Sequence, residues 1–96
     1  MIPPNNPLLA STPRLTIMLI LFFYKKVGFT ELHELLNITS GNLDYHLKQL
    51  ANANYLQIKK VISFNRVRTA IKITKHGEDI FRDYTYKLRE ILNKID

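Results

Sequence analysis

Six cations, Lys59, Lys60, Arg66, Arg68, Lys72 and Lys75, occupy residues 59–75 without one acidic residue among them. A solvated surface ordinarily mixes charge signs, so a one-sign run of this density marks a face suited to a polyanion. Upstream, Asn42, Tyr45, Lys48, Gln49 and Asn52 sit at spacings that share one side of a helix. Side-chain amides pair with adenine edges through two hydrogen bonds, and lysine donates to guanine or to phosphate. Together the two sets point to nucleic-acid recognition.

Other chemistry has little support. His33, His46 and His76 lack ligand spacing, and the chain has no cysteine to assist them, so no metal site is expected. Asp79 and Asp83 lie in a mixed-charge amphipathic stretch, where they read as solvated residues near a helix start. Nowhere do a nucleophile, a base and an orienting group converge. The chain is read as neither an enzyme nor a cofactor carrier.

At 96 residues the chain supports one core. Its formal net charge is +6, and the flanks 1–58 and 76–96 are nearly balanced, so the whole excess belongs to 59–75. Hydrophobic residues at 46% and charged ones at 23% describe a globular chain. The absence of cysteine fits a reducing compartment, and a cytoplasmic, nucleoid-associated location is expected. The apolar run Leu15 to Tyr24 is far short of the about 20 residues a spanning helix needs, so no membrane partner is expected.

Residues 1–11, with three prolines and two asparagines, read as a flexible N-terminal arm, leaving 12–96 as a single domain. Thr12 followed by Pro13 marks a helix start, with Thr12 as cap. This first helix is apolar around nearly its whole circumference, which calls for a second chain to cover it. Thr30 is the expected cap of a short second helix carrying Leu32, Leu35 and Leu36. After a turn at Asn37 to Thr39, Leu43, Leu47, Leu50 and Ala51 set the period of a third helix, 39–53, capped by Thr39 or Ser40. Such a helix N-terminus offers amides to a phosphate, and Gly41 lets the backbone come close.

From Tyr55 the apolar period becomes two, giving two strands joined around Asn65, Arg66 and Val67. Thr74 then caps a last helix in which Phe81, Tyr84, Leu88, Ile91 and Ile95 follow heptad spacing. Two helices joined by a three-residue turn are the frame of a helix-turn-helix. The basic hairpin behind them reads as a wing, with Arg66 and Arg68 at its turn.

The stretches SGNLDYHLKQLANANYLQIKK and FNRVRTAIKITKHGEDIF resemble winged helix-turn-helix transcriptional regulators of the MarR and ArsR type over residues 15–95. The most specific pieces are His46-Leu47-x-x-Leu50 with Tyr55-Leu56 behind it, and Arg68-Thr69 through Thr74-x-x-Gly77. The resemblance implies a homodimer on pseudo-palindromic double-stranded DNA, with helix 39–53 in the major groove and wing 59–73 on the backbone or minor groove. The chain departs from the family at the wing tip, Phe64 to Val67, where glycine or proline is common. It departs again at Asp44, where serine is common.

The expected fold is therefore α+β, mainly α: a three-helix core, a two-stranded wing and a long C-terminal helix for dimerisation. Expected DNA contacts are Thr39, Ser40, Asn42, Tyr45, His46, Lys48, Gln49, Asn65, Arg66 and Arg68. The expected dimer interface is Leu15, Met18, Leu19, Phe22, Phe81, Tyr84, Leu88, Ile91 and Ile95. The pattern specifies no effector ligand. Two further readings are a winged-helix interaction or assembly module that does not read DNA, and a membrane-surface binder. The second is disfavoured because the hairpin's cations alternate with strand core residues and not with a lipid-facing stripe.

Overall fold

Ser11 accepts a hydrogen bond from the Arg14 amide through its side chain, and this cap opens α1 (Thr12–Tyr24). The computed structural model describes residues 2–95. The expected cap, Thr12, is instead the first helical residue, and Pro13 falls within the first turn, where a missing amide proton costs nothing. α1 ends at Lys25, whose positive φ of 69° turns the chain sharply while its amide still reaches the Leu21 carbonyl at 2.8 Å.

That turn delivers β1 (Lys26–Gly28), a strand too short for any period to reveal in the sequence. β1 runs directly into α2 (Phe29–Leu35), so Gly28 and not Thr30 is the cap residue, without a side-chain bond. α3 (Ser40–Asn52) starts at Thr39, whose hydroxyl accepts from the Asn42 amide at 3.1 Å. His33 fastens the connection between these helices by hydrogen bonding through Nε2 to the Ile38 carbonyl at 3.0 Å.

β2 (Leu56–Ser63) and β3 (Arg66–Ile73) pair antiparallel along their full length, from Leu56 with Ile73 to Ser63 with Arg66. The connecting turn is Phe64-Asn65, with φ of 51° and 61°, so Arg66 and Val67 belong to the strand. Two central residues at positive φ match the right-handed twist of the flanking strands. β1 adds to the other side of β3, giving a three-stranded antiparallel sheet in the order β1-β3-β2 where two strands were expected.

Thr74 joins the sheet to α4 (Lys75–Leu92). Its amide donates to the Tyr55 carbonyl at 3.1 Å, its hydroxyl donates to the Asn54 carbonyl at 2.7 Å, and the same oxygen caps the Gly77 amide at 2.9 Å. Gly77 is buried there, and an added Cβ would overlap the Tyr55 carbonyl oxygen. This close approach gives the Thr74-x-x-Gly77 spacing its physical reason.

The core gathers Ile17, Met18 and Leu21 from α1, Leu32 from α2, and Leu43, Leu47 and Leu50 from α3. Leu56, Ile71 and Ile73 join them from the sheet, Tyr55 from the turn before β2, and Phe81 from α4. Each such side chain contributes roughly 1.5–3 kcal/mol by leaving water. Residues 1–11, read as a flexible arm, are packed from Asn6 onward. Leu9 is fully buried, the Asn6 side-chain oxygen accepts from the Leu8 and Leu9 amides, and its Nδ2 donates to the Tyr55 hydroxyl at 3.0 Å. An apolar residue that follows a run of prolines and asparagines still has a core to join.

Met18 and Phe81, expected at a dimer interface, are spent in the chain's own core. Apolarity alone does not tell an intrachain from an interchain face. α4 stops at Leu92, so Ile95 lies beyond the helix that was to carry the heptad seam.

Candidate nucleic-acid interface

Leu43, Leu47 and Leu50 pin α3 to the core, which turns the opposite side outward. Ser40, Asn42, Tyr45 and Lys48 are exposed there, and Gln49 is half-buried at the edge. A Cβ built on Gly41 would meet nothing within 4 Å, so the fold does not require this glycine. It leaves the backbone bare at the helix N-terminus. Thr39 contributes through its cap, with its hydroxyl occupied by the Asn42 amide.

His46 is placed differently from its exposed neighbours. It is half-buried, and its Nδ1 accepts a hydrogen bond from Arg14 Nη1 at 2.9 Å. Arg14 also donates through Nε to the Leu8 carbonyl at 2.7 Å. Burial first, and the adjacent guanidinium second, hold the His46 imidazole below its usual pKa. A ring that is neutral and accepting at Nδ1 carries its proton on Nε2. His46 therefore links α3 to α1 and the N-terminal segment, and no sequence signal had singled out Arg14 as its partner.

The hairpin supplies the charge. Strand register puts Leu56, Ile58, Lys60 and Ile62 on the sheet face shared with Ile73, Ile71, Thr69 and Val67. This face packs on the core at its inner end and looks toward α3 further out. A cleft of about 460 Å³ there is lined by Asp44, Leu47 and Lys48 of α3 and by Ile58, Lys60 and Thr69 of the sheet. Lys60 Nζ donates to Thr69 Oγ1 at 2.8 Å within it. Arg66 and Arg68 lie on the other face, in line with Lys59 and Lys72 and, across β1, Lys26. The structure thus brings Lys48 and Lys60 together across a cleft, and sends Arg66 and Arg68 along the opposite side of the hairpin.

Among the described residues, the ion pairs are Lys25 with Glu78, Lys48 with Asp44, Lys75 with Asp79 and Lys87 with Asp83. None includes Lys59, Lys60, Arg66, Arg68 or Lys72, so the hairpin's positive field is not neutralised within the chain. Lys75, counted in the basic run from the sequence, is paired at 2.7 Å and belongs to α4. Among the described residues no group of three metal-ligating side chains comes together, and no helix is long and apolar enough to cross a membrane.

Helix, turn, helix and a projecting basic hairpin now stand in one arrangement, and a sequence model for the winged helix DNA-binding domain matches residues 14–92. The chain belongs to this winged-helix family. An uncharacterized protein of Methanocaldococcus jannaschii is 36% identical over 86 residues, covering 90% of this chain and 94% of that one. A solved transcriptional regulator homologue from Pyrococcus horikoshii superposes with a TM-score of 0.87 at 30% identity, covering 93% of this chain and 88% of that one. A mutant MarR from E. coli, at 16% identity and TM-score 0.77, covers 93% of this chain and 68% of that one and shares the fold. The winged-helix domain thus has the architecture of MarR-type regulators, as its motifs implied.

Proposed function

We propose that this winged-helix chain is a transcriptional regulator that binds double-stranded DNA as a homodimer, a cytoplasmic, nucleoid-associated protein. α3 enters the major groove, with Asn42, Tyr45, Lys48 and Gln49 toward base edges and Thr39 and Ser40 at the phosphates. Asn65, Arg66 and Arg68 of the wing follow the backbone and minor groove. The observation that carries this reading is a hairpin whose cations lack acidic partners, projecting from the same domain that turns the polar face of α3 outward. The solved homologue from Pyrococcus horikoshii, described as a transcriptional regulator homologue, supports the regulatory role.

Dimerisation draws support from α4. Beyond Phe81 no residue of this helix is buried, yet Tyr84, Leu88, Ile91 and Leu92 follow there, and Leu19 and Phe23 stand exposed on neighbouring α1. Tyr84, Leu88 and Ile91 are half-buried while Leu19, Phe23 and Leu92 are exposed, and apolar surface gathered in this way marks an interaction face. Tyr84, Leu88 and Ile91, with Leu15, Leu19 and Phe22 of α1, are the surfaces a second copy covers.

Fluorescence anisotropy with a random-sequence duplex at low salt tests the core of the reading. Binding at micromolar concentration or tighter is expected, weakening steeply as salt rises. A chain that leaves the duplex free at low salt is an interaction module and not a DNA reader.

A further inference from the structure

Phe64 forms the tip of the wing at 93% exposure, with a positive φ of 51°. Each fact is unfavourable alone. A bulky side chain in the left-handed region is strained, a conformation the turn's geometry ordinarily assigns to asparagine or glycine. A phenyl ring held in water gains nothing from burial, and none of the ring–ring contacts among the described residues includes it. Strain of this kind, unrewarded within the fold, points to a use outside it.

The surroundings say what that use is. One pair behind Ser63 and Arg66, which adjoin the turn, the cross-strand pair Ile62 and Val67 is 81% and 70% exposed, so the end of the wing carries three exposed apolar side chains and not one stray ring. Arg66 and Arg68 follow on one face of the hairpin and Lys60 on the other, with no acid anywhere in β2 or β3. An apolar point in a cationic collar fits a partner that is anionic outside and apolar inside. Duplex DNA meets this description, with phosphates flanking a stack of bases.

We propose that Phe64 is a wedge: the wing enters the minor groove, Arg66 and Arg68 hold the flanking phosphates, and the Phe64 ring inserts between two base pairs and kinks the duplex. The proposal rests on the DNA-binding reading and adds to it a deformation role for one residue. Apolar side chains that part base steps bend DNA by roughly 20–90° toward the major groove, and the cost of bending is lowest at flexible pyrimidine–purine steps. The wing then selects sequence by deformability at positions α3 never touches.

The test uses the full chain and a 30-base-pair duplex recovered by the protein from a random pool, carrying donor and acceptor dyes at its two ends. Wild type and Phe64→Leu bring the dyes closer. Phe64→Gly binds about tenfold more weakly with an unchanged salt slope and leaves the duplex straight. Because glycine suits a positive φ, Phe64→Gly also unfolds no earlier than wild type, which separates a lost wedge from a damaged fold. If Phe64→Gly bends the duplex as wild type does, or wild type binds it straight, the wedge is wrong while DNA binding stands. If wild type fails to bind any duplex, both readings fall. Phe64-dependent flotation on phosphatidylserine vesicles without a bent duplex overturns the wedge in favour of a lipid contact.

Discussion

Arg14 of α1 and His46 of α3 meet at 2.9 Å, the guanidinium donating to an imidazole whose pKa burial and that same charge lower. The contact joins the helix that follows the N-terminal segment to the helix that presents the polar face. It also carries a pH dependence. Since the folded pKa of His46 lies below its value of 6.5 when unperturbed, the unfolded chain binds the proton more readily. The stabilising contribution is fully present above the unfolded pKa and is lost as pH falls from there through the folded pKa. Urea midpoints measured from pH 8 down to pH 5 are expected to decline below about 6.5, and His46→Gln is expected to flatten that part of the decline. An identical decline in the variant places the titrating group elsewhere.

Gly77 packs against the Tyr55 carbonyl so closely that no Cβ fits. Gly77→Ala must push α4 away from the sheet or distort the Thr74 cap, either of which disturbs a core that includes Phe81. Helix propensity alone would favour alanine, so the two effects oppose each other. Overpacking costs about 1–3 kcal/mol and wins, because backbone cannot yield as a flexible side chain can. Denaturant unfolding checks this, and a variant as stable as wild type shows that the contact relaxes freely.

Asp44 engages Lys48 at 2.8 Å on the exposed side of α3. On a DNA-facing helix this acid both repels phosphate and occupies a cation. Asp44→Asn keeps the side-chain shape and releases Lys48. Affinity for every duplex is expected to rise, with the log–log salt slope steeper by about 0.9 for one added phosphate contact. Anisotropy at several salt concentrations reads both quantities. An unchanged slope removes Lys48 from the set of phosphate contacts.

Arg66 and Arg68 are expected to act on all sequences alike. Arg66→Ala with Arg68→Ala weakens binding to any duplex and lowers the salt slope by about 1.8 for two phosphates. Asn42→Ala and Gln49→Ala, in contrast, relax base preference and leave the slope in place. A double arginine variant with the wild-type slope takes these residues off the backbone.

The elements legible in the sequence were those with a sustained period or a strong cap. α3 and α4 follow from leucine and aromatic spacing with Thr39 and Thr74 in front, and the hairpin follows from alternation at Leu56, Ile58, Thr69, Ile71 and Ile73. β1 is three residues long and has no period to show. The turn at Phe64-Asn65 was displaced by one step because phenylalanine is not a turn residue, and the strain that makes it informative also hid it. Of the site, the basic hairpin and the outward face of α3 were visible. The position of His46 at the edge of the apolar stripe allowed for helix packing, but its partner Arg14, thirty-two positions away, was not visible.

The exposed apolar face on α1 and α4 leads to a last expectation, that two copies associate. A dimer on DNA places its two α3 helices in successive major grooves about 34–36 Å apart, and a long C-terminal helix with no buried residue past Phe81 is free to pair. Leu88→Glu with Ile91→Glu puts two carboxylates on that face without touching the chain's own buried core. Sedimentation at micromolar concentration is expected to give a dimer for wild type and a folded monomer for the variant, with the thermal transition of the monomer still cooperative. The variant should also bind a two-half-site duplex about as weakly as one half-site, because the second contact is no longer tethered to the first. A wild-type chain that sediments as a monomer, or a variant that still dimerises, means that the association face lies elsewhere or does not exist.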